Sequence, residues 1–194
     1  MMKHISDEVA NSFGGHELMM TKEAIGSIVG TLEHLHLCKK DVQDKQLLDI
    51  LISQTGYLTQ VYNLILHVCH SAQEPKAKLE AYMMHTNNNM TTFGLTEKDP
   101  STPIMTLDQV DDQIVSTALL SHLKGIATIL TTASIEATHP VLRRLLADSI
   151  HNIIEMAFEI YLYQNEKGYY EVPQYNSADM KQLIINFGLP IQTP

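Results

Sequence analysis

Four residues near the C-terminal end of the chain, Asp148, His151, Glu155 and Glu159, recur at spacings of 3, 4 and 4. On a helix that places carboxylates and an imidazole along one face, the donor types that hold a divalent cation or pass a proton. Two Glu-x-x-His pairs, Glu33–His36 and Glu136–His139, raise the same question. A di-iron or di-manganese centre in a helical bundle takes a Glu from each of two helices and Glu-x-x-His from each of the other two, all facing inward. The ligand arithmetic fails here, because both Glu-x-x-His pairs fall at helix ends beside turns and the second long helix contains no Glu. Asp148, His151 and Glu155 stay as metal candidates of low weight, since His151 and Glu155 lie off the inner line of their helix. His151 and Glu155 read first as a hydrogen-bonded polar flank.

The other chemistry-bearing types form no constellation. The ten histidines are scattered, and His34, His36, His67 and His70 sit near helix ends, where they suit only adventitious zinc or nickel. No glycine-rich phosphate loop, nucleophile elbow or Cys–His pair with an orienting third group occurs. No catalytic residue and no cofactor are expected. Cys38 and Cys69 are the only cysteines; at the far ends of successive helices they lie beyond disulfide reach and read as reduced thiols.

The elements that would position these residues are long helices. From Glu136 to Pro173 a helix opens at Pro140, where a missing N–H costs nothing, and closes at Lys167-Gly168. Its apolar seam, Leu142, Leu146, Ser149, Ile153, Met156, Ile160 and Tyr163, steps by 4 and 3, as in a helix packed among near-parallel partners. Three further helices match it. The first runs from Glu17 to Cys38 with Leu18, Thr21, Ile25, Ile28, Leu32 and Leu35 on its seam; Gly26 and Gly30 predict close approach of a neighbouring backbone. The second runs from Asp44 to Ser71 along Leu47, Leu51, Gln54, Leu58, Val61, Ile65 and Val68. The third opens at the capping box Thr106/Gln109 and runs to Ala137 along Val115, Leu119, Leu123, Ile126, Leu130 and Ala133. The polar seam members Thr21, Gln54, Asp112 and Ser149 read as register-fixing residues.

Pro75 predicts a short helix over Lys76–His85, and residues 86–105, with Asn runs, Gly94, Pro100 and Pro103, read as an irregular crossover. A tail helix starts at Ser177. The expectation is a single all-α domain with a ferritin-like four-helix bundle: a hairpin over 17–71, a short helix and crossover over 72–106, a hairpin over 107–168 and a tail over 169–194.

At 194 residues, 44% hydrophobic and with net charge −9, the chain suits a globular protein and disfavours nucleic acid or an anionic membrane surface as partner. No apolar core of a signal peptide is seen near the N-terminus and no run of bilayer-spanning length later, so export and membrane insertion are not expected. Tyr161, Tyr163, Tyr169, Tyr170 and Tyr175 cluster around the end of the last long helix; Tyr169, Tyr170 and Tyr175 form the candidate partner surface, with packing of the bundle end as the equal alternative.

Gly14-Gly15-His16-Glu17-Leu18, the run Asp44–Leu51, Asp111-Asp112-Gln113 and above all His139–Gln174, with Gly168-Tyr169-Tyr170 as its most specific piece, resemble the spore coat protein F family of endospore-forming bacteria, the Firmicutes. The resemblance implies a ferritin-like bundle, residence in the cytoplasm of the sporulating cell and then in the spore coat, and other coat proteins or further copies of the chain as partners. It supplies no catalytic residues. Where the family pattern has His-Glu in the first helix, this chain has Lys22-Glu23, which weakens a metal site further. Three functions stay open: a non-enzymatic structural or assembly protein of the coat, a metal-binding ferritin-like protein with a degenerate site, and an adaptor for another protein.

Overall fold

The computed structural model describes residues 5–86 and 89–188. A single helical turn, α1 (Asp7–Ala10), precedes four long helices: α2 (Gly15–Cys38), α3 (Lys45–Ser71), α4 (Asp112–Glu136) and α5 (Pro140–Glu166). A short tail helix, α6 (Ser177–Ile185), follows. Helix α2 packs on α3 and α4, and α5 packs on the same two, so the four make a square with α2 and α5 on one diagonal. Each neighbouring pair is antiparallel, as shown by Glu17 of α2 bonding to the α4–α5 turn and Lys167 after α5 pairing with Asp44 before α3. Helices α3 and α4 therefore run the same way, and the chain between them must travel the length of the bundle, about 40 Å for a 27-residue helix. That is the all-α, two-hairpin architecture the helix spacing predicts.

The seams explain the packing. All seven predicted positions of α3 and all seven of α5 are buried, as is the α4 stripe from Val115 through Ala133 to Ala137. Helix α2 differs: its buried line is Glu17, Thr21, Ala24, Ile28, Thr31 and Leu35, with Leu18, Ile25 and Leu32 only half-buried beside it. The small residues Ala24 and Thr31 take the tight positions and the larger ones splay to the edge. Gly26 and Gly30 are exposed, and a Cβ at either would meet nothing within 4 Å, so the close backbone approach expected there does not occur.

Three local expectations are corrected. The Thr106/Gln109 capping box closes a 3₁₀ turn (Leu107–Gln109), while α4 starts later, capped by the Asp111 carboxylate, which accepts the Ile114 N–H at 2.9 Å. No helix forms over 76–85; that segment is extended and its amides bond to side chains of α5. And α4 is, by length and composition, a helix that could cross a membrane, with an 18-residue window of mean hydropathy 1.4, where the sequence reading found no such run. Its apolar stripe packs on α2 and α5. At the end of α5, Gly168 adopts φ +72°; Tyr169 N–H reaches Gln164 O at 2.7 Å and Gly168 N–H reaches Asn165 O at 3.1 Å, the paired closure that a left-handed residue permits. Cys38 and Cys69 end α2 and α3 at opposite ends of the bundle, and both are free.

Candidate functional site

The interior of the bundle holds one inward carboxylate among apolar layers, Glu159 of α5, fully buried. Gln54, the polar member of the α3 seam, donates from Nε2 to Glu159 Oε2 at 3.1 Å and to Met156 O at 3.0 Å. The other partners come from the crossover. The Tyr82 hydroxyl donates to Glu159 Oε2 at 2.5 Å, and the His85 N–H donates to Oε1. Burial, and then the Glu159 carboxylate beside it, push the Tyr82 phenol well above its usual range, so it serves as a neutral donor. The Tyr57 ring meets Tyr82 edge-on at 5.5 Å; burial pushes its phenol up to about 12, and its hydroxyl donates to Glu80 O.

Glu159 is the central one of three clamps. One heptad earlier, Asn152 Oδ1 accepts the Tyr82 N–H at 2.7 Å. Near the helix end, Asn165 Oδ1 accepts the Thr92 N–H at 2.7 Å, while its amide donates to Thr92 O and Tyr170 O. All three are buried polar side chains; Asn152 and Glu159, seven residues apart, share one flank of α5, and Asn165 lies about a third of a turn round at the helix end. An extended chain has no internal ladder, so each buried amide needs such an acceptor. Beyond Thr92, Gly94 N–H bonds to Val172 O at 3.0 Å, Lys98 donates to Gly168 O, and Lys98 pairs with Glu171 at 2.9 Å, which ties the crossover to the tail.

The sequence-derived metal candidates do not converge. Asp148 and His151 are exposed and Glu155 is half-buried, on the outer side of α5, whereas Glu159, the last of the same row, turns inward. The row therefore divides between three residues toward solvent and one in the interior. Glu33 and His36 are exposed; Glu136 lies 3.9 Å from His16 at the bundle end, and the His139 ring caps α5, its Nδ1 accepting the Leu142 N–H at 3.4 Å. Among the described residues no three His, Cys, Asp or Glu side chains are placed to hold a metal ion. The inner donor set around Glu159 is a phenol, an amide and a backbone N–H, and these do not fit a di-metal cage.

The tyrosines divide by role. Tyr163 is buried under Lys167, whose ammonium lies 5.6 Å from its ring, and packs on Tyr169. Tyr161 stacks on Phe158 and meets Tyr170 edge-on at 5.3 Å, while Lys124 of α4 covers Tyr170. Of the candidate partner residues, Tyr169 and Tyr170 thus engage neighbours within the chain, and Tyr175 is 72% exposed beside Asp179 and Leu183 of α6.

Two further carboxylates close the ends. Glu17 accepts the Gly14 N–H at 2.6 Å in its own helix start, then the Thr138 N–H, the Thr138 hydroxyl and the His139 N–H at 2.7–2.9 Å across the α4–α5 turn. Burial alone raises its pKa, but these donors, His139 and Gly14 foremost, outweigh that and hold the carboxyl below its ordinary value. Asp112 of α4 accepts the Gln43 and Asp44 N–H groups at 2.9 and 3.1 Å across the α2–α3 turn. The clamps and Glu17 went unrecognised in the sequence; the signal that could have marked two of the clamps is the heptad spacing of Asn152 and Glu159 beside the seam, whereas Asn165 lies about a third of a turn away and carries no such mark.

The polar interior thus ties segments of the chain together. With that geometry in view, the likenesses to known proteins take on meaning. The Coat F domain pattern matches residues 111–173, from the cap of α4 to just past the Gly168 turn. Over 187 residues the chain is 36% identical to the spore coat protein F-like protein YhcQ of Bacillus subtilis, covering 96% of this chain and 86% of that one. A crystal structure from Bacillus halodurans, described as that of a candidate spore coat protein, superposes with a TM-score of 0.60 over 85% of this chain and 96% of the other at 10% identity, which speaks to the fold alone. Near-full-length identity of this order, with the domain pattern falling on the α4–α5 hairpin, settles the kinship: the chain belongs to the spore coat protein F family.

Proposed function

We propose that the protein is a structural component of the bacterial spore coat, made in the cytoplasm of the sporulating cell and incorporated into the coat by association with other coat proteins or with itself, without catalysing a reaction. The kinship with the Bacillus subtilis coat F-like protein supports the coat as its place. The single observation that carries the non-catalytic reading is the fate of the interior polar groups. Glu159, Asn152 and Asn165 are occupied in holding the crossover to α5, and none is turned toward an open cleft. A catalytic carboxylate needs access to a substrate, and Glu159 is sealed beneath Tyr82. A fluorescent fusion followed through sporulation tests the reading. The expected outcome is a shell of signal around the forespore and recovery of the protein in extracts of purified spores. A fusion that stays diffuse and is missing from those spores overturns it.

A further inference from the structure

Helix α6 has no buried residue. Met180, Leu183, Ile184 and Phe187 nevertheless recur at i, i+3, i+4 and i+7, the spacing of a helix that lays one face into a groove. Leu183, Ile184 and Phe187 are 51%, 71% and 86% exposed. Asp179 stands on the flank of that face. Helix α6 is therefore built to be covered and is uncovered in the isolated chain.

A matching groove lies at the other end of the bundle. Leu64 of α3, Pro75 and Leu79 of the crossover, and Val141 and Leu145 of α5 line a hollow of about 170 Å³. Lys78, Arg144 and one acid, Glu74, border it, and among the described residues neither ammonium nor guanidinium has an ion-pair partner. An apolar slot whose rim carries two cations against one carboxylate suits an apolar helix face that carries a single acid.

The chain's own α6 cannot fill it. The groove sits at the Pro140 end of α5, and the tail leaves from the Lys167 end, about 40 Å away at 1.5 Å per residue. The tail is fixed at that far end as far as Val172 by its bond with Gly94. Only residues 173–176 separate that anchor from α6, and fully extended they span about 14 Å. Even adding the length of α6, about 14 Å, the tail falls short.

We propose that α6 of one copy docks in the α3–α5 end groove of the next, with Leu183 and Ile184 as anchors and Asp179 facing Lys78 and Arg144. This rests on the self-association reading above and names its surfaces. The two surfaces are different patches at opposite ends of the molecule, so the contact is heterologous: each copy that docks leaves a free groove and a free tail, and the assembly extends as an open chain. A groove of this size gives a weak, concentration-dependent contact.

Sedimentation of the purified full-length chain over a concentration series tests the proposal. The wild type is expected to gain mean mass with concentration. The tail variant L183D/I184D and the groove variant K78E/R144E, all at surface positions with thermal unfolding as the folding control, are each expected to stay monomeric. Mixed together they are expected to give dimers and nothing larger, because one intact tail meets one intact groove. A wild type that is monomeric throughout, or a groove variant that assembles like the wild type, overturns the proposal. So does loss of assembly in the tail variant alone, which places α6 against another surface. The coat reading fails separately, by loss of the fusion from spores whatever the sedimentation shows.

Discussion

The two ends of the bundle use one device with unequal results. At the α4–α5 turn, Glu17 reaches across from the first turn of α2 and accepts two backbone N–H groups and a hydroxyl; at the α2–α3 turn, Asp112 reaches across from the first turn of α4 and accepts two backbone N–H groups. The arrangement is near two-fold: the first helix of each hairpin closes the turn of the other. The carboxylates differ in setting. Glu17 is 1% exposed and Asp112 is half-exposed. Hydrogen bonds removed from water leave a larger penalty when one partner is lost. Each end has a second tie, the Lys167–Asp44 pair at 2.7 Å beside Asp112 and the longer His16–Glu136 contact at 3.9 Å beside Glu17. The lesson is that equivalent connectivity does not mean equivalent stability; desolvation ranks the two ends.

The sharpest way to break that ranking is Glu17→Ala. It orphans the Thr138 and His139 amides in a part-buried turn and is expected to lower unfolding free energy by about 2–3 kcal/mol, read by urea denaturation. Asp112→Ala is expected to cost about 1–2 kcal/mol in the same measurement, since water replaces part of what is lost. A loss at Asp112 that equals or exceeds the loss at Glu17 would refute the desolvation argument. Because the sites lie at opposite ends, the double variant should add to within about 0.5 kcal/mol.

The sign of the pH dependence sharpens the same contrast. Glu17 is held below its ordinary pKa in the folded chain, so its stabilisation is complete above its unfolded value and is lost as pH falls through the folded one. Urea midpoints measured down the acid range should therefore fall with pH, and Glu17→Gln should flatten that slope. Asp44 is lowered too: burial raises it, but the bond to Lys167 and the Gln46 amide outweigh that, so part of the acid slope should survive the substitution. The smallest expected effect is Lys167→Met, under about 1 kcal/mol by thermal unfolding, because this pair is partly solvated.

What the sequence shows and hides follows the same physics. The α3 and α5 seams were legible because apolar residues recur without interruption, and every predicted position is buried. The α2 pattern predicts Leu18, Ile25 and Leu32 on the inner line, where the structure buries Glu17, Ala24 and Thr31. Ranking by hydrophobicity passes over a buried acid whose partners sit 121 residues away. The short helix expected after Pro75 fails for a related reason. Residues 76–85 contain good helix formers, but Asn152 and Glu159 offer acceptors to the Tyr82 and His85 amides, and those tertiary bonds outweigh local propensity. The same cover explains Glu159. Counted on the bundle alone it belongs to an outer row with Asp148, His151 and Glu155; the crossover laid over it makes that position interior.

The extended crossover has a consequence for how the molecule can be watched. In a helix an amide is protected from exchange by a carbonyl four residues away. The Tyr82, His85 and Thr92 amides are protected by side chains 70, 74 and 73 residues away, all on α5. Their exchange with deuterium cannot be slowed by local structure; it slows only once the crossover is in place against α5. Three backbone hydrogens thus act as a built-in clock for the docking of the crossover on the second hairpin, at 82, 85 and 92 along the bundle.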